Sequence, residues 1–112
     1  KIHLADALVQ EVQSVTTASK QRLMLDRRSV PLLAGRRVVV VDDVVATGSS
    51  LAATLALTRL AGANIVGAGV ILTEGHDWEK TLGPDARLIQ SLGHIPQFAL
   101  AGDKTEPMPE TL

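Results

Sequence analysis

The chain has no cysteine and no tyrosine, with Trp78 and Phe98 as its whole aromatic complement. Without cysteine, disulfides and thiolate metal sites are excluded. With 46% hydrophobic residues and so few rings, a core has to be built from Val, Leu, Ile and Ala. No apolar run reaches the roughly 18 residues that a membrane-spanning helix needs. The opening stretch Lys1 to Gln10 is too polar for a signal peptide, so a cytoplasmic, non-membrane protein is expected. Excess positive charge is missing too. The net charge is −1, and the basic residues are not interleaved with aromatics, which argues against nucleic acid as a partner. That small total hides a gradient. Lys1 to Arg37 carries +4, Val38 to Thr73 carries −1, and Glu74 to Leu112 carries −4. The basic end suits a polyanionic ligand or simply a solvated surface.

The 112 residues suit a single domain. Ala7 to Thr17 and Arg22 to Asp26 alternate well enough to predict a β-hairpin. Val38 to Val41 is an unbroken β-branched run, the pattern of a parallel strand buried on both faces, and Asp42-Asp43 is read as its end. Leu51 to Ala61 is Ala- and Leu-rich and predicts a helix, with Gly62 suited to its C-terminal cap. Asn64 to Thr73 predicts a second apolar strand, completing a right-handed βαβ unit. His76 to Leu82 reads as a short helix and Arg87 to Leu92 as a further strand. The last twelve residues, Ala101 to Leu112, read as a loose tail after a domain spanning 1–100. The fold class expected is α/β, with a parallel sheet and an upstream hairpin.

Chemistry concentrates after the valine run. Ligands of open α/β sheets bind beyond the carboxyl ends of strands. Two adjacent acids there repel each other, and a divalent cation or a ribose diol relieves that. Ala46-Thr47-Gly48-Ser49-Ser50 then opens a helix. Its N–H groups carry partial positive charge, Gly48 permits close approach, and three hydroxyls add donors, so the turn suits a phosphate. Taken singly, an Asp closing a strand is ordinary turn chemistry, and a Ser or Thr before a helix is an ordinary cap. The two together call for a ligand with a diol or metal at one end and a phosphate at the other.

Val38 to Ser50 resembles, across all its positions, the phosphoribosyl-pyrophosphate (PRPP) motif of type I phosphoribosyltransferases, with Ser49 where Gly or Lys is common. Ser14 to Thr17 and Gln21 to Asp26 are similar to the flexible hairpin upstream of that motif. Gly69 to Gly75 and Ile95 to Phe98 are similar to the later strand and hood of adenine phosphoribosyltransferase-like proteins. The resemblance implies that Asp42 and Asp43 hold the ribose hydroxyls, directly or through Mg²⁺-bound water. It implies that Ala46, Thr47, Gly48, Ser49 and Ser50 cradle the 5′-phosphate, and that the hairpin, with Lys20 or Arg22, closes over the pyrophosphate. The implied reaction transfers ribose 5-phosphate to a base nitrogen in a homodimeric enzyme. Ala46 stands where hypoxanthine-guanine members carry Asp, and Leu72-Thr73-Glu74 lacks their Lys, so an adenine-type purine substrate is implied. The family's pyrophosphate loop lies on an earlier strand, so the chain is expected to be the C-terminal portion of a longer protein.

Two other readings stay open. A PRPP-sensing regulator would keep the motif without catalysis. A receiver domain also pairs acids around Mg²⁺, but it needs an acceptor Asp at a later strand end, and Asp85 precedes its strand. Gly67-Ala68-Gly69 sits inside a strand and lacks the third glycine of a dinucleotide fingerprint, so it is read as close strand packing. His3, His76 and His94 show no metal spacing and are read as surface or local hydrogen-bonding residues. Trp78 and Met24 are read as packing residues and Glu74 as a solvated loop carboxylate. Phe98 is read as a core residue, with stacking on a base as its other role.

Overall fold

The structure, a computed structural model, describes residues 7–12 and 21–112. Strands β1 (Leu8–Val12) and β2 (Gln21–Leu25) pair antiparallel, with Leu8 opposite Leu25 and Val12 opposite Gln21. This is the expected hairpin; Ser14 to Thr17 and Lys20 lie outside the described residues. A 3₁₀ turn at Arg27–Ser29 and a single helical turn, α1 (Val30–Leu33), lead to β3 (Arg37–Val45). Helix α2 (Ser49–Leu60) then crosses to β4 (Asn64–Glu74). After α3 (Asp77–Leu82) and a 3₁₀ segment, β5 (Ile89–Ile95) completes a three-stranded parallel sheet in the order β3-β4-β5.

The core forms where one face of this sheet meets α2 and α3. Val40, Val45, Ala68 and Val70 from the strands pack with Leu51 and Leu55 of α2 and Leu82 of α3. Leu51 and Leu55, four residues apart and so on one helix face, are the most deeply buried large side chains. Trp78 packs against the same cluster, as a packing residue should.

Three expectations are corrected here. First, the valine run is not buried on both faces. Val41 is 76% exposed and Leu92 87%, with Val39 and Ile71 also exposed. Among the described residues the helices cover only one side of the sheet. The run of β-branched residues signals a strand with apolar faces, but it cannot say what covers each face. Second, β3 does not stop at the acids. Asp42 pairs with Val70, Val44 with Leu72 and Val45 with Thr73, so the ladder runs through the acid pair. Ladder bonds are made by backbone, and exposed carboxylates cost the strand little. Third, Arg87 and Leu88 close a 3₁₀ segment, and the strand starts two residues later and ends three residues later than expected, from Ile89 to Ile95. Pro84 starts that turn, and an Arg59–Asp85 ion pair anchors it.

The C-terminal segment is also not loose. β6 (Phe98–Ala101) and β7 (Lys104–Pro107) form an antiparallel hairpin, followed by a 3₁₀ turn at Pro109–Thr111. Met108 N–H donates to the Gln97 carbonyl at 2.7 Å, and Gln97 N–H donates to Thr111 Oγ1 at 2.7 Å. Phe98, read as core, stands half exposed on β6. Met24 is likewise partly exposed on β2. Prolines and charges suggested a tail because propensity counts local preference and misses such long-range ties.

Candidate functional site

The turn between β3 and α2 follows from its glycine. Val45 is buried and ends the strand. The chain then reverses through Ala46 and Thr47 to Gly48, whose φ of 85° is in the left-handed region that side chains resist. Gly48 is also short of space: a Cβ there would stand 3.1 Å from Trp78 Cα and 3.3 Å from Thr81 Cβ. Gly48 carbonyl accepts the Ala52 N–H at 2.8 Å, starting α2. Thr47 Oγ1 accepts the Ser49 N–H at 3.3 Å. The Ser50 and Leu51 N–H groups lie in the first turn, where no helical carbonyl precedes them, so they are available to an anion.

The two acids are held by their own backbone. Asp42 Oδ1 accepts the Asp43 N–H at 2.8 Å, and Asp43 Oδ1 accepts the Val44 N–H at 2.6 Å. The bond from Val44, with hydrogen bonding to Asp42 next in weight, holds the Asp43 carboxyl below the usual carboxylate range. Both side chains remain exposed. One oxygen of each is thus held by the backbone.

These groups border two cavities. A small one, about 170 Å³, is lined by Asp42, Val44 to Gly48, Ser50 and Leu51. It brings the Gly48 turn and one acid together. A larger one, about 700 Å³, lies on the uncovered sheet face and is lined by Asp42, Asp43, Val41, Gly69, Ile71 and Leu92 among others. Asp42 belongs to both, so it is the junction between them. Gly69 leaves the floor of the larger cavity shallow; a Cβ there would meet Val41 Cγ1 at an ordinary 3.8 Å. Close packing therefore does not account for this glycine. Ser49 lines neither cavity. It faces Gln10, Glu11 and Thr81 instead, between hairpin, helix and α3. Of the five turn residues, the structure brings Ala46, Thr47, Gly48 and Ser50 to the cavity beside Asp42. Arg22 sits opposite Glu11 in the hairpin, and Lys20 lies outside the described residues.

One cluster was hidden from the sequence. His76 and His94 stack with ring centroids 4.9 Å apart. Thr73, buried at the end of β4, has its hydroxyl 2.7 Å from His94 Nδ1. His94 Nε2 lies 3.0 Å from the Thr111 carbonyl, which can only accept, so Nε2 carries a proton. His76 Nε2 likewise faces the Leu112 carbonyl at 2.9 Å. Its Nδ1 faces Glu79 at 3.4 Å. Two acceptors favour the doubly protonated ring. The Leu112 carbonyl first, and the Glu79 carboxylate after it, raise the His76 pKa above the ordinary 6.5. Eighteen residues separate the histidines, and only the register of β5 beside β4 joins them. Glu74 is the last residue of β4 and half-buried, so it is a strand residue and not a loop carboxylate.

The phosphoribosyl transferase domain family matches residues 1–100. The chain belongs to that family. Adenine phosphoribosyltransferase of Streptomyces avermitilis is 46% identical over 69 residues, covering 62% of this chain and 35% of the relative. That of Mycobacteroides abscessus is 62% identical over 40 residues, covering 36% of this chain and 23% of the relative. The crystal structure of adenine phosphoribosyltransferase from Thermoanaerobacter pseudethanolicus superimposes with a TM-score of 0.60 at 25% identity, over 80% of this chain and 49% of that one. The enzyme from Giardia lamblia, complexed with 9-deazaadenine, gives a TM-score of 0.65 at 20% identity and shows the shared fold, over 81% and 50%. The chain thus spans about half the length of these solved phosphoribosyltransferases and a smaller share of the curated relatives. The parallel β3-β4-β5 sheet with its βαβ crossover is the α/β core that this type I, adenine phosphoribosyltransferase-like chain has in common with them.

Proposed function

We propose that the chain supplies the PRPP-binding part of a phosphoribosyltransferase that transfers ribose 5-phosphate to adenine or a related purine and releases pyrophosphate. The observation that carries this reading is the cavity shared by Asp42, the Gly48 turn and the start of α2. The N–H groups of that first helical turn and the hydroxyls of Thr47 and Ser50 take the 5′-phosphate. Asp42 and Asp43 take the ribose hydroxyls. In the reaction the anomeric C–O bond to pyrophosphate breaks and a base nitrogen bonds to the same carbon. Positive charge develops there, so the two carboxylates stabilise the reacting ribose while the turn fixes its far end. The Asp43 carboxyl, held low by the Val44 N–H, stays charged for this role.

The acids also fit Mg²⁺. Among the described residues no three acidic or histidine side chains converge on one point, so the chain offers a pair of carboxylates and no closed cage. That is the donor set Mg²⁺ accepts when substrate oxygens and water complete its shell. When bound, the ion would neutralise pyrophosphate charge. Ala46, whose methyl offers no polar group to a purine's oxygen, supports adenine as the base. Arg22, and Lys20 beside it in sequence, belong to the hairpin proposed to close on pyrophosphate. Among the described residues no helix is long and apolar enough to cross a membrane. A cytoplasmic purine-salvage role is part of the proposal. Assembly as a homodimer, without nucleic acid or membrane partners, completes the reading.

The test is calorimetry with PRPP and Mg²⁺, followed by an assay for adenine-dependent pyrophosphate release by the chain extended to its relatives' length. Heat that requires Mg²⁺ is expected. No heat at millimolar ligand would sink the proposal. Binding without base-dependent release would convert it to a PRPP sensor.

A further inference from the structure

We infer that Trp78 is a positioning residue for the phosphate turn, an inference that rests on the PRPP-binding reading above. Three observations converge on it. The turn's shape depends on Gly48, whose φ of 85° is uncommon and unsupported by any side-chain cap. Within the turn the Thr47 side chain braces Ser49 through bonds of 3.3 and 3.4 Å, and packing from outside the turn supports Gly48 itself. The nearest non-neighbouring atoms to the face where a Gly48 Cβ would lie are Trp78 Cα, Trp78 Cβ and Thr81 Cβ, at 3.1, 3.2 and 3.3 Å. The backbone of α3 is therefore the wall against which the turn rests. Trp78 in turn fixes α3. Its ring packs on the core cluster, and its Nε1–H donates to the Gly75 carbonyl at 2.9 Å, closing the bend that enters the helix.

Helix α3 has only six residues, too few to hold its own place by helical propensity. Leu82 at one end and Trp78 near the other are its two attachments to the core. Removing the indole leaves Leu82 as the core contact, with the Gln97–Asp77 bond at the helix start, and loosens the wall at Gly48. The turn then gains conformations in which the Ser50 and Leu51 N–H groups no longer converge. Binding must restore their convergence, and affinity falls by that cost. Trp78 touches no ligand in this scheme; it acts through α3 and Gly48.

Trp78 is the single tryptophan of a chain without tyrosine, so its emission reports its own surroundings alone. The experiment titrates the chain with Mg²⁺-PRPP, and separately with ribose 5-phosphate, following Trp78 emission and heat in parallel. Emission should change and saturate at the ligand concentrations that saturate the heat. Trp78→Ala should weaken binding by about tenfold, and Trp78→Phe, which keeps a packed aromatic ring but loses the N–H and part of the indole's volume, should bind within about threefold of the parent. A purely structural tryptophan would lower the melting temperature of the Ala variant and leave the affinity of the folded protein unchanged. Unaltered affinity in a folded Trp78→Ala variant overturns the inference, as does saturating heat with no change in emission. The emission titration needs no variant, so it decides the matter even where Trp78→Ala does not fold. Absence of heat from the parent chain overturns the functional reading, and this inference with it.

Discussion

Arg59 on α2 grips Asp85 with both guanidinium nitrogens, Nη1 to Oδ2 and Nη2 to Oδ1, each at 2.7 Å. The pair ties the last turn of the crossover helix to the 3₁₀ segment that delivers β5, and so holds the third strand of the sheet in register from outside. It also disposes of Asp85 as a phosphoacceptor, since its carboxylate is already occupied before β5 begins.

Asp85→Asn should lower stability modestly. The pair is two-pronged but its side chains are 46% and 28% exposed, so a loss of at most about 1 kcal/mol is expected. The hydrogen bonds from Arg59 hold the Asp85 pKa below 3.8 in the folded chain. Its contribution is therefore complete above the unfolded-state value near 3.8 and is lost as pH falls through the lower folded value. Melting curves of parent and variant should differ at neutral pH and converge in acid. A difference that persists at the lowest pH would show the asparagine costs something other than the ion pair.

His76 behaves in the opposite sense. Its folded pKa lies above 6.5, so its stabilising effect is complete below 6.5 and fades as pH rises through the folded value. The nearby charges are Glu79 and Asp77 on α3, with the His94 ring stacked across from β5. A proton NMR titration should show His76 gaining its proton at a higher pH than a free histidine. His76→Gln should lower the melting temperature more at pH 5.5 than at pH 8, values chosen about one unit or more either side of the ordinary pKa. Equal loss at both would mean the ring acts by packing alone.

Gly48→Ala should damage the site and the fold together. A side chain in the left-handed region costs about 1–2 kcal/mol, and the new methyl also meets the Trp78 backbone, which cannot swing aside. Thermal unfolding should show a loss at least that large, and calorimetry should show no PRPP heat from the fraction that remains folded. Gly69→Ala is the control. Its methyl meets only Val41 Cγ1 at 3.8 Å, so its melting temperature should stay close to the parent's.

Asp42→Asn combined with Asp43→Asn should separate ligand from fold. Asparagine keeps an Oδ1 to accept the Asp43 and Val44 N–H groups, so the local geometry survives. Both positions are exposed, and the stability change should stay within about 0.5 kcal/mol. Losing two charge-assisted contacts at about 1.5 kcal/mol each should weaken Mg²⁺-dependent PRPP binding by about a hundredfold. Unchanged binding would show that the acids serve only β3.

Much of the site was legible in the sequence because its parts are contiguous. Val38 to Ser50 carries strand, acids, glycine turn and helix start in one run, and local chemistry suffices to read each. The βαβ crossover was legible for the same reason, since apolar periodicity changes once on each side of the turn. What failed were judgements about distant segments. That Ser49, bonded within its turn to Thr47 Oγ1, also borders Gln10, Glu11 and Thr81 was not read from the sequence. The end of β3 was placed at Asp42, because polarity was taken as a stop signal that the ladder with β4 ignores.

The sequence by itself determined the α/β class, the acid pair beside the glycine turn, and membership of the phosphoribosyltransferases. These depend on residues within a dozen positions of one another, where propensity, glycine and charge act directly. Only the tertiary structure decided that α3 stands behind Gly48, that His76 and His94 meet, that Phe98 to Pro107 form a hairpin, and that one apolar face of the sheet stays open among the described residues. Each of those follows from which segments pack together, and packing is a sum of weak contacts between distant residues that no local pattern records.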